Sequence, residues 1–563
     1  MAQLPKTDVV IIGMGAAGGT ASYVLTQAGL DVVGLEAGPR LKETDFLKRF
    51  DEVGEDFAIR NSLGGIKFNR EIPTWRPNAK TPTSPPLAVG MANCVGGSTV
   101  HFTACFWRFL ESDFAIRSET IKKYGKGALP KGAMVADWPL SYQDLEPFYD
   151  KVEYQLGASG EAGANPFEGK RSRPYPLPPL QTFGLGEHMK EAMKGAGYDP
   201  FPQPSAILSE QYEGRPACTY CGFCTTGYGC WNNSKSSTLV TSIAEAEKTG
   251  KLEVRELCRV LEIMTDSDGK VSGVKYLDQN KNEQVQPARF VILGTYVFEN
   301  NRMLLLSKSK AFPKGLSNGH DQVGKYYRAQ VNVGVNGVLP GKKTNTWAGT
   351  ASQGVVMDNF NGDNFDHTGL GFIRGASIGA ACYSMPVAQA VNVGPAAGGI
   401  WGSKYKRWLH ENAGSIVSLA GQMETLNYEA NFIDLDPVKK DDLGIPVARL
   451  TFDIYENEKK MAAYLTEKME PVLKEAGAKE IWGGGEPTVV PVYSHAYGGT
   501  MMGESADSSV VDQYSVSHEV PNLAIMGGST FVSTTGYNPT ETIQALAWYG
   551  AEHIAKNFES LAA

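Results

Sequence analysis

The stretch that most constrains this chain is its beginning, Thr7 to Arg40: TDVVIIGMGAAGGTASYVLTQAGLDVVGLEAGPR. Asp8 to Ile12 is a short β-branched run of the kind found in buried parallel strands. Gly13, Gly15 and Gly18 follow as G-x-G-x-x-G, and a helical stretch, Ala16 to Ala28, begins at once. Gly13 permits the tight turn, and Gly15 lets backbone come close to a pyrophosphate. Gly18 lets helix and strand pack closely, with the phosphates on the helix N-terminus. A second strand, Asp31 to Leu35, ends on Glu36, a carboxylate placed to hold an adenosine ribose. A lone G-x-G-x-x-G says little. Bracketed by strand, helix, strand and acid, it predicts an α/β protein with a Rossmann-like dinucleotide-binding domain.

Composition narrows the class. A net charge of −8 argues against a nucleic-acid or anionic-membrane surface. No run of 18 apolar residues is present, so no membrane span is expected. The first strand begins within seven residues of the N-terminus, leaving no room for a signal peptide or twin-arginine leader. Export would then need a partner's signal. Length alone, 563 residues, suggests about three or four domains.

Further along, Asn93 to Thr103 reads NCVGGSTVHFT. Gly96 and Gly97, followed by small hydroxyl residues, suit a backbone lying against a flat cofactor. Asp137 to Leu145 leads into a helix through Tyr154, with Ser141 as N-cap and Asp144 in the first turn.

With these segments the chain resembles the glucose–methanol–choline (GMC) oxidoreductases, flavoproteins that oxidise alcohols. The resemblance rests on the N-terminal unit, where E-A-G after the acid is similar to FAD enzymes, and on VGGST and DWPLSYQDLEPFY. It rests also on His495-Ala496-Tyr497-Gly498-Gly499-Thr500-Met501-Met502-Gly503 and Gly536-Tyr537-Asn538-Pro539-Thr540. In detail the chain is most similar to the flavoprotein subunits of bacterial glucose, fructose and gluconate dehydrogenases, with pyranose oxidases next. The resemblance implies the GMC fold. An FAD-binding domain would be assembled from residues 1–45, 251–313 and 494–563. A substrate domain with an antiparallel sheet, plus connecting loops, would take 46–250 and 314–493. It implies FAD contacts from Gly13, Gly15, Gly18, Glu36, Ala37, Arg40, Gly96, Gly97, Ser98, His101, Thr103, Ala104, Val260, Pro539 and Thr540. LEVRELCRVLEIMTD and ARFVILGTYV read as strands of the FAD domain. Two departures stand out. Thr295-Tyr296-Val297 are bulkier than the family's small residues, and Val323 to Gln330 lacks the histidine common after V-G.

His495 and Asn538 carry the expected chemistry. Imidazole, with an ordinary pKa of about 6.5, suits removal of a hydroxyl proton near neutral pH. The Asn538 amide can orient the hydroxyl but cannot act as a base. Pro539-Thr540 opens the helix Glu541 to Ala555, whose N-terminus could face an electron-rich part of the flavin. His101 has the spacing of the histidine that tethers FAD covalently in pyranose oxidases; a non-covalent contact is equally allowed.

Four of the eight cysteines crowd together: Cys218, Cys221, Cys224 and Cys230, as C-x2-C-x2-C-x5-C. Thiolates at two-residue gaps, with glycines between, can wrap an iron–sulfur core, and the resemblance implies a cluster of three or four irons. Zinc, a disulfide or a free-thiol loop are the alternatives. A cluster would connect the two-electron flavin to a one-electron acceptor, implying a small subunit and a cytochrome-type partner. An oxygen-using pyranose or glycoside oxidase is the competing reading and needs no cluster.

Overall fold

A computed structural model of the chain describes residues 4–47, 72–84, 91–222, 229–344, 349–380, 394, 399–489 and 495–563. The strand Thr7–Ile12 lies at the centre of a seven-stranded sheet. Its neighbours are Val32–Leu35 on one side and Glu283–Leu293 on the other, both parallel to it. Leu252–Arg255 extends the sheet beyond Val32–Leu35, also in parallel. The long strand Glu283–Leu293 serves two partners in turn. Its first half pairs antiparallel with Val271–Leu277, and its second half runs parallel to Thr7–Ile12 and Leu523–Ile525.

Both faces of the central strand are covered, which is why its residues are apolar without alternation. Val9 and Ile11 pack with Phe290, Ile292 and the small residues Ala17, Ala21, Ala547 and Ala551. Those alanines belong to the helices Ala16–Gln27 and Thr540–Lys556, which lie against each other. Val10, Ile12 and Leu293 fill the opposite face. The helix expected after Ser141 spans Tyr142–Leu156, with the Ser141 and Asp144 side chains capping it reciprocally.

The sequence expectation needs one correction here. ARFVILGTYV does not run on as a strand: the strand stops at Leu293, and the helix Val297–Leu306 begins within four residues. Asn300 reaches back from that helix to accept from the Thr295 amide at 3.0 Å, which turns the chain.

A second sheet of six antiparallel strands is ordered Ile481–Gly483, Val331–Val338, Ile416–Met423, Ala376–Ala380, Val355–Met357, Pro200–Pro202. Val331, Val333, Val335, Leu419 and Ile378 form its inner face with Met461, Leu465, Met469 and Val472 of the helix Glu456–Glu475. Each such buried side chain stabilises the layer by about 1.5–3 kcal/mol. A separate short pairing precedes Val331–Val338: Arg328–Ala329 runs antiparallel to Ala496–Tyr497. Residues 97–100 and 242–248, which fall in the expected substrate portion, lie against the helix Ala16–Gln27. Among the described residues, no helix is long and apolar enough to cross a membrane.

Candidate active site

The glycine-rich turn forms one end of a cavity of about 510 Å³. Gly13 adopts φ +87°, and its amide donates to the Leu35 carbonyl at 2.8 Å, so the turn closes onto the neighbouring strand. A Cβ at Gly18 would lie 2.0 Å from the Gly13 carbonyl oxygen, so Gly18 governs helix–strand packing and does not face the cavity. Gly15 faces Gly97 across the cavity wall. A Cβ on Gly97, at φ +54°, would come within 2.8 Å of the Gly15 Cα. The two glycines thus bring separate backbones together around a space that any side chain would intrude upon.

Thr238 ties these segments. Its hydroxyl donates to the carbonyls of Gly15 and Gly96 at 3.3 and 3.4 Å, and its amide donates to the Thr99 hydroxyl at 3.1 Å. Glu36 lines the same cavity, its carboxylate accepting from the amides of Met14 at 3.0 Å and Gly38 at 2.9 Å. Each carboxylate oxygen keeps acceptor capacity for a ribose hydroxyl. Ala37, Gly97, Ser98, His101, Thr103, Val260, Pro539 and Thr540 line it too. Open backbone at the phosphate turn, an acid beside it and His495 on the wall of the same cavity fit FAD.

Besides Gly18, three expected contacts lie elsewhere. Arg40 turns away into ion pairs with Glu247 at 2.5 Å and Glu256 at 3.2 Å. Ala104 is fully buried at φ +63° behind the wall. Gly96, at φ +90°, abuts Leu239 and initiates the 3-10 turn Gly97–Val100.

His495 lines the cavity, half-buried, and burial pushes its imidazole down to about 4. Asn538 lies behind it, with Asn538 Nδ2 at 3.1 Å from His495 Nε2. His495 Nδ1 lies 2.5 Å from Gln330 Oε1. Asn538 Oδ1 accepts from Trp107 Nε1 and from Gln422 Nε2, each at 3.1 Å. The Trp107 ring stacks on Tyr537 at 4.7 Å, and the Tyr537 hydroxyl donates to the buried carboxylate of Asp358. Burial pushes that carboxyl up to about 6. The sequence pointed to His495 and Asn538 but to none of Trp107, Gln330, Gln422 or Thr238. The nearest signal was the missing histidine in the segment that ends at Gln330.

The cysteine loop is described at three of its four thiols; Cys224 lies outside the described residues. Cys218, Cys221 and Cys230 are free thiols. Burial pushes the Cys218 thiol up to about 11, and both other thiols are near enough to add to that shift. Cys230 donates to Asn232 Oδ1 at 3.0 Å. Among the described residues, no three His, Cys, Asp or Glu side chains converge to hold a metal. With Cys224 outside the described residues, the expected four-thiol set is described only in part.

Comparison with known proteins agrees with this geometry. Residues 180–325 and 427–547 match the N- and C-terminal profiles of the GMC oxidoreductases. The chain is 32% identical to the gluconate 2-dehydrogenase flavoprotein of Pantoea cypripedii, over 99% of this chain and 94% of that one. It is 28% identical to 2-methyl-1,2-propanediol dehydrogenase of Mycolicibacterium austroafricanum, over 99% and 96% of the two chains. It is 26% identical to the fructose dehydrogenase large subunit of Gluconobacter japonicus, over 98% of each. The structure of formate oxidase from Aspergillus oryzae superposes with a TM-score of 0.64 at 14% identity, covering all of both chains, which speaks to fold alone. The chain belongs to the GMC oxidoreductase family, FAD-dependent enzymes that act on CH–OH donors.

Proposed function

We propose that this protein is a dehydrogenase flavoprotein subunit that oxidises one hydroxyl-bearing carbon of a sugar, polyol, glycoside or sugar acid. The observation that carries the reading is the pairing of His495, which lines the cavity, with Asn538 3.1 Å behind it. FAD, when bound, supplies the acceptor for the hydride leaving the carbinol carbon. His495 Nε2 takes the hydroxyl proton, so that the C–H electron pair and the O–H proton leave by separate routes and a carbonyl forms. When substrate binds, Asn538 Nδ2 turns from Nε2 to hold the substrate oxygen, which frees the single Nε2 lone pair to take the proton. Support for the substrate class comes from relatives named for gluconate, fructose and a propanediol.

The deciding experiment is anaerobic stopped-flow reduction of the flavin with gluconate, fructose, glucose and a vicinal diol. His495→Ala is expected to slow reduction about a hundred- to ten-thousand-fold while retaining FAD. A near-native rate in that variant would place the base elsewhere. Fast reoxidation by oxygen would favour the oxidase reading, for which a 27% identical relative named paromamine 6'-oxidase speaks.

We further propose that Cys218, Cys221, Cys224 and Cys230 hold an iron–sulfur cluster, and that a small subunit and a cytochrome-type acceptor complete the enzyme. Support comes from the spacing, from Cys221 and Cys230 each lying near enough to Cys218 to raise its thiol, and from relatives named as flavoprotein and large subunit. Iron and labile sulfide in anaerobically purified protein are the expected result. Stoichiometric zinc without sulfide overturns it.

A further inference from the structure

We infer that Gln330 is a positioning residue that fixes which nitrogen of His495 carries its proton, leaving Nε2 as the unprotonated, proton-accepting atom. The inference rests on the reading of His495 as the base and deepens it.

Two chains of hydrogen bonds reach His495 from opposite sides, and each starts from a group whose role is not adjustable. On the first side, Gln330 Nε2 donates to the Thr535 carbonyl at 2.7 Å and faces the Tyr537 carbonyl at 3.4 Å. Carbonyls only accept, so the amide nitrogen must point that way and Oε1 must point to His495. That oxygen also only accepts. The 2.5 Å contact to Nδ1 therefore requires the proton to lie on Nδ1. A neutral imidazole with a proton on Nδ1 has its lone pair on Nε2.

On the second side the fixed donor is the Trp107 indole, which cannot accept. It donates to Asn538 Oδ1, as does Gln422 Nε2, which turns Asn538 Nδ2 toward His495. An amide NH₂ facing a ring nitrogen at 3.1 Å finds a lone pair there, again at Nε2. Both chains therefore assign the same tautomer.

Gln330 is also held in place. It is fully buried, and its own amide donates to the His495 carbonyl at 3.0 Å, so backbone and side chain engage the same residue. It lies directly after Arg328–Ala329, the short strand paired with Ala496–Tyr497, which ties its register to that of His495. The orienting group is an amide and not a carboxylate. It can accept from Nδ1 without adding a negative charge that would favour the imidazolium, so the base stays unprotonated before substrate arrives. A substrate hydroxyl that displaces Asn538 Nδ2 from Nε2 then meets an acceptor for its proton and a donor for its oxygen.

Positioning through His495 has a signature that general structural support lacks. Gln330→Met keeps the side-chain length but offers Nδ1 no comparable acceptor. It is to be made in the native and His495→Ala backgrounds, as FAD-loaded protein, with flavin reduction measured anaerobically over a range of substrate concentrations. In the native background the limiting rate should fall at least about tenfold, with the half-saturating concentration changed less than about threefold. In the His495→Ala background the same substitution should change the rate less than about twofold, because its target is gone. An equal loss in both backgrounds, or a native-background loss under twofold, overturns the inference. If His495→Ala itself reduces its flavin at the native rate, the failure lies with the proposed base and not with Gln330. A variant that loses FAD on purification can be replaced by Gln330→Leu in the same two backgrounds. In addition, ¹⁵N-histidine spectra of the native protein should place the His495 proton on Nδ1, and a proton found on Nε2 refutes the assignment directly.

Discussion

The glycines of the first turn divide their work between fold and cofactor, and alanine substitutions separate the two. A Cβ at position 18 would lie 2.0 Å from the Gly13 carbonyl oxygen and 3.0 Å from Ile11 Cγ2. Ordinary contact between heavy atoms begins at roughly 3.5 Å, so strand and helix must part by more than an ångström. The obstacle is backbone at the centre of the largest sheet, with no flexible end to swing aside. Overpacking costs typically run to about 3 kcal/mol, and this site belongs at that end. At 1.4 kcal/mol per tenfold, Gly18→Ala should lower the folded-to-unfolded ratio of apoprotein roughly a hundredfold. Gly15 differs: a Cβ there would be 3.9 Å from the Gly97 Cα, an ordinary contact. Gly15→Ala should therefore cost apoprotein less than about 1 kcal/mol, mainly from the poorer N-cap. Its FAD affinity should nonetheless fall, because the methyl group occupies the pyrophosphate approach, and Gly15→Val should purify colourless. Urea unfolding of FAD-stripped protein gives the first comparison and fluorescence titration with FAD the second. A Gly18→Ala apoprotein with a native midpoint, or a Gly15→Ala apoprotein destabilised as much as Gly18→Ala, would falsify this division.

Glu36→Ala should weaken both properties, since it removes the ribose acceptor and leaves the Met14 and Gly38 amides without their partner, at about 1–3 kcal/mol per buried amide; unchanged unfolding with reduced FAD affinity would contradict the second half. The pH dependence of flavin reduction should show its acid limb near pH 4, because burial holds the His495 imidazole at about 4. The sign follows from the base having to be neutral: the rate holds above that pKa and falls as pH drops through it. An acid limb at the ordinary imidazole value of about 6.5 argues against burial as the governing effect. Trp107→Phe keeps the stack on Tyr537 but removes the donor that fixes Asn538 Oδ1; reduction should slow about tenfold with FAD retained, and a native rate means that Gln422 alone suffices to orient the amide.

What was legible in the sequence was whatever local geometry imposes. The strand–turn–helix at Thr7–Gln27 follows from glycine spacing, because Gly13 needs a positive φ and Gly18 needs an absent Cβ within five residues of one another. The cap at Ser141 is equally local. The strand reading of ARFVILGTYV failed at its end because Asn300, five residues on from Thr295, turns the chain through a side chain that carries no strand signal. Arg40 was misplaced for a longer-range reason. Its partners Glu247 and Glu256 lie more than two hundred residues away, and nothing near Arg40 announces them.

The candidate site repeats that contrast within a few ångströms. His495 and Asn538 stand in short motifs whose glycines let backbone come close to a ring, so the motif marks the residue. Trp107, Gln330 and Gln422 orient them from positions that become neighbours only in the folded chain, Trp107 reaching Asn538 across 431 residues and Gln330 reaching His495 across 165. An orienting residue needs only a donor or acceptor at the right place, and many side chains meet that need, so such positions have no spacing to read. The segment after Val323-Gly324 makes the point from the other direction. It lacks the histidine common after V-G in the family. In the fold, the same segment ends on the amide that grips His495. Because the amide acts by direction and not by charge, its replacement by a residue of equal length without an acceptor removes the function while filling the same volume, which is why the Gln330→Met comparison separates orientation from packing.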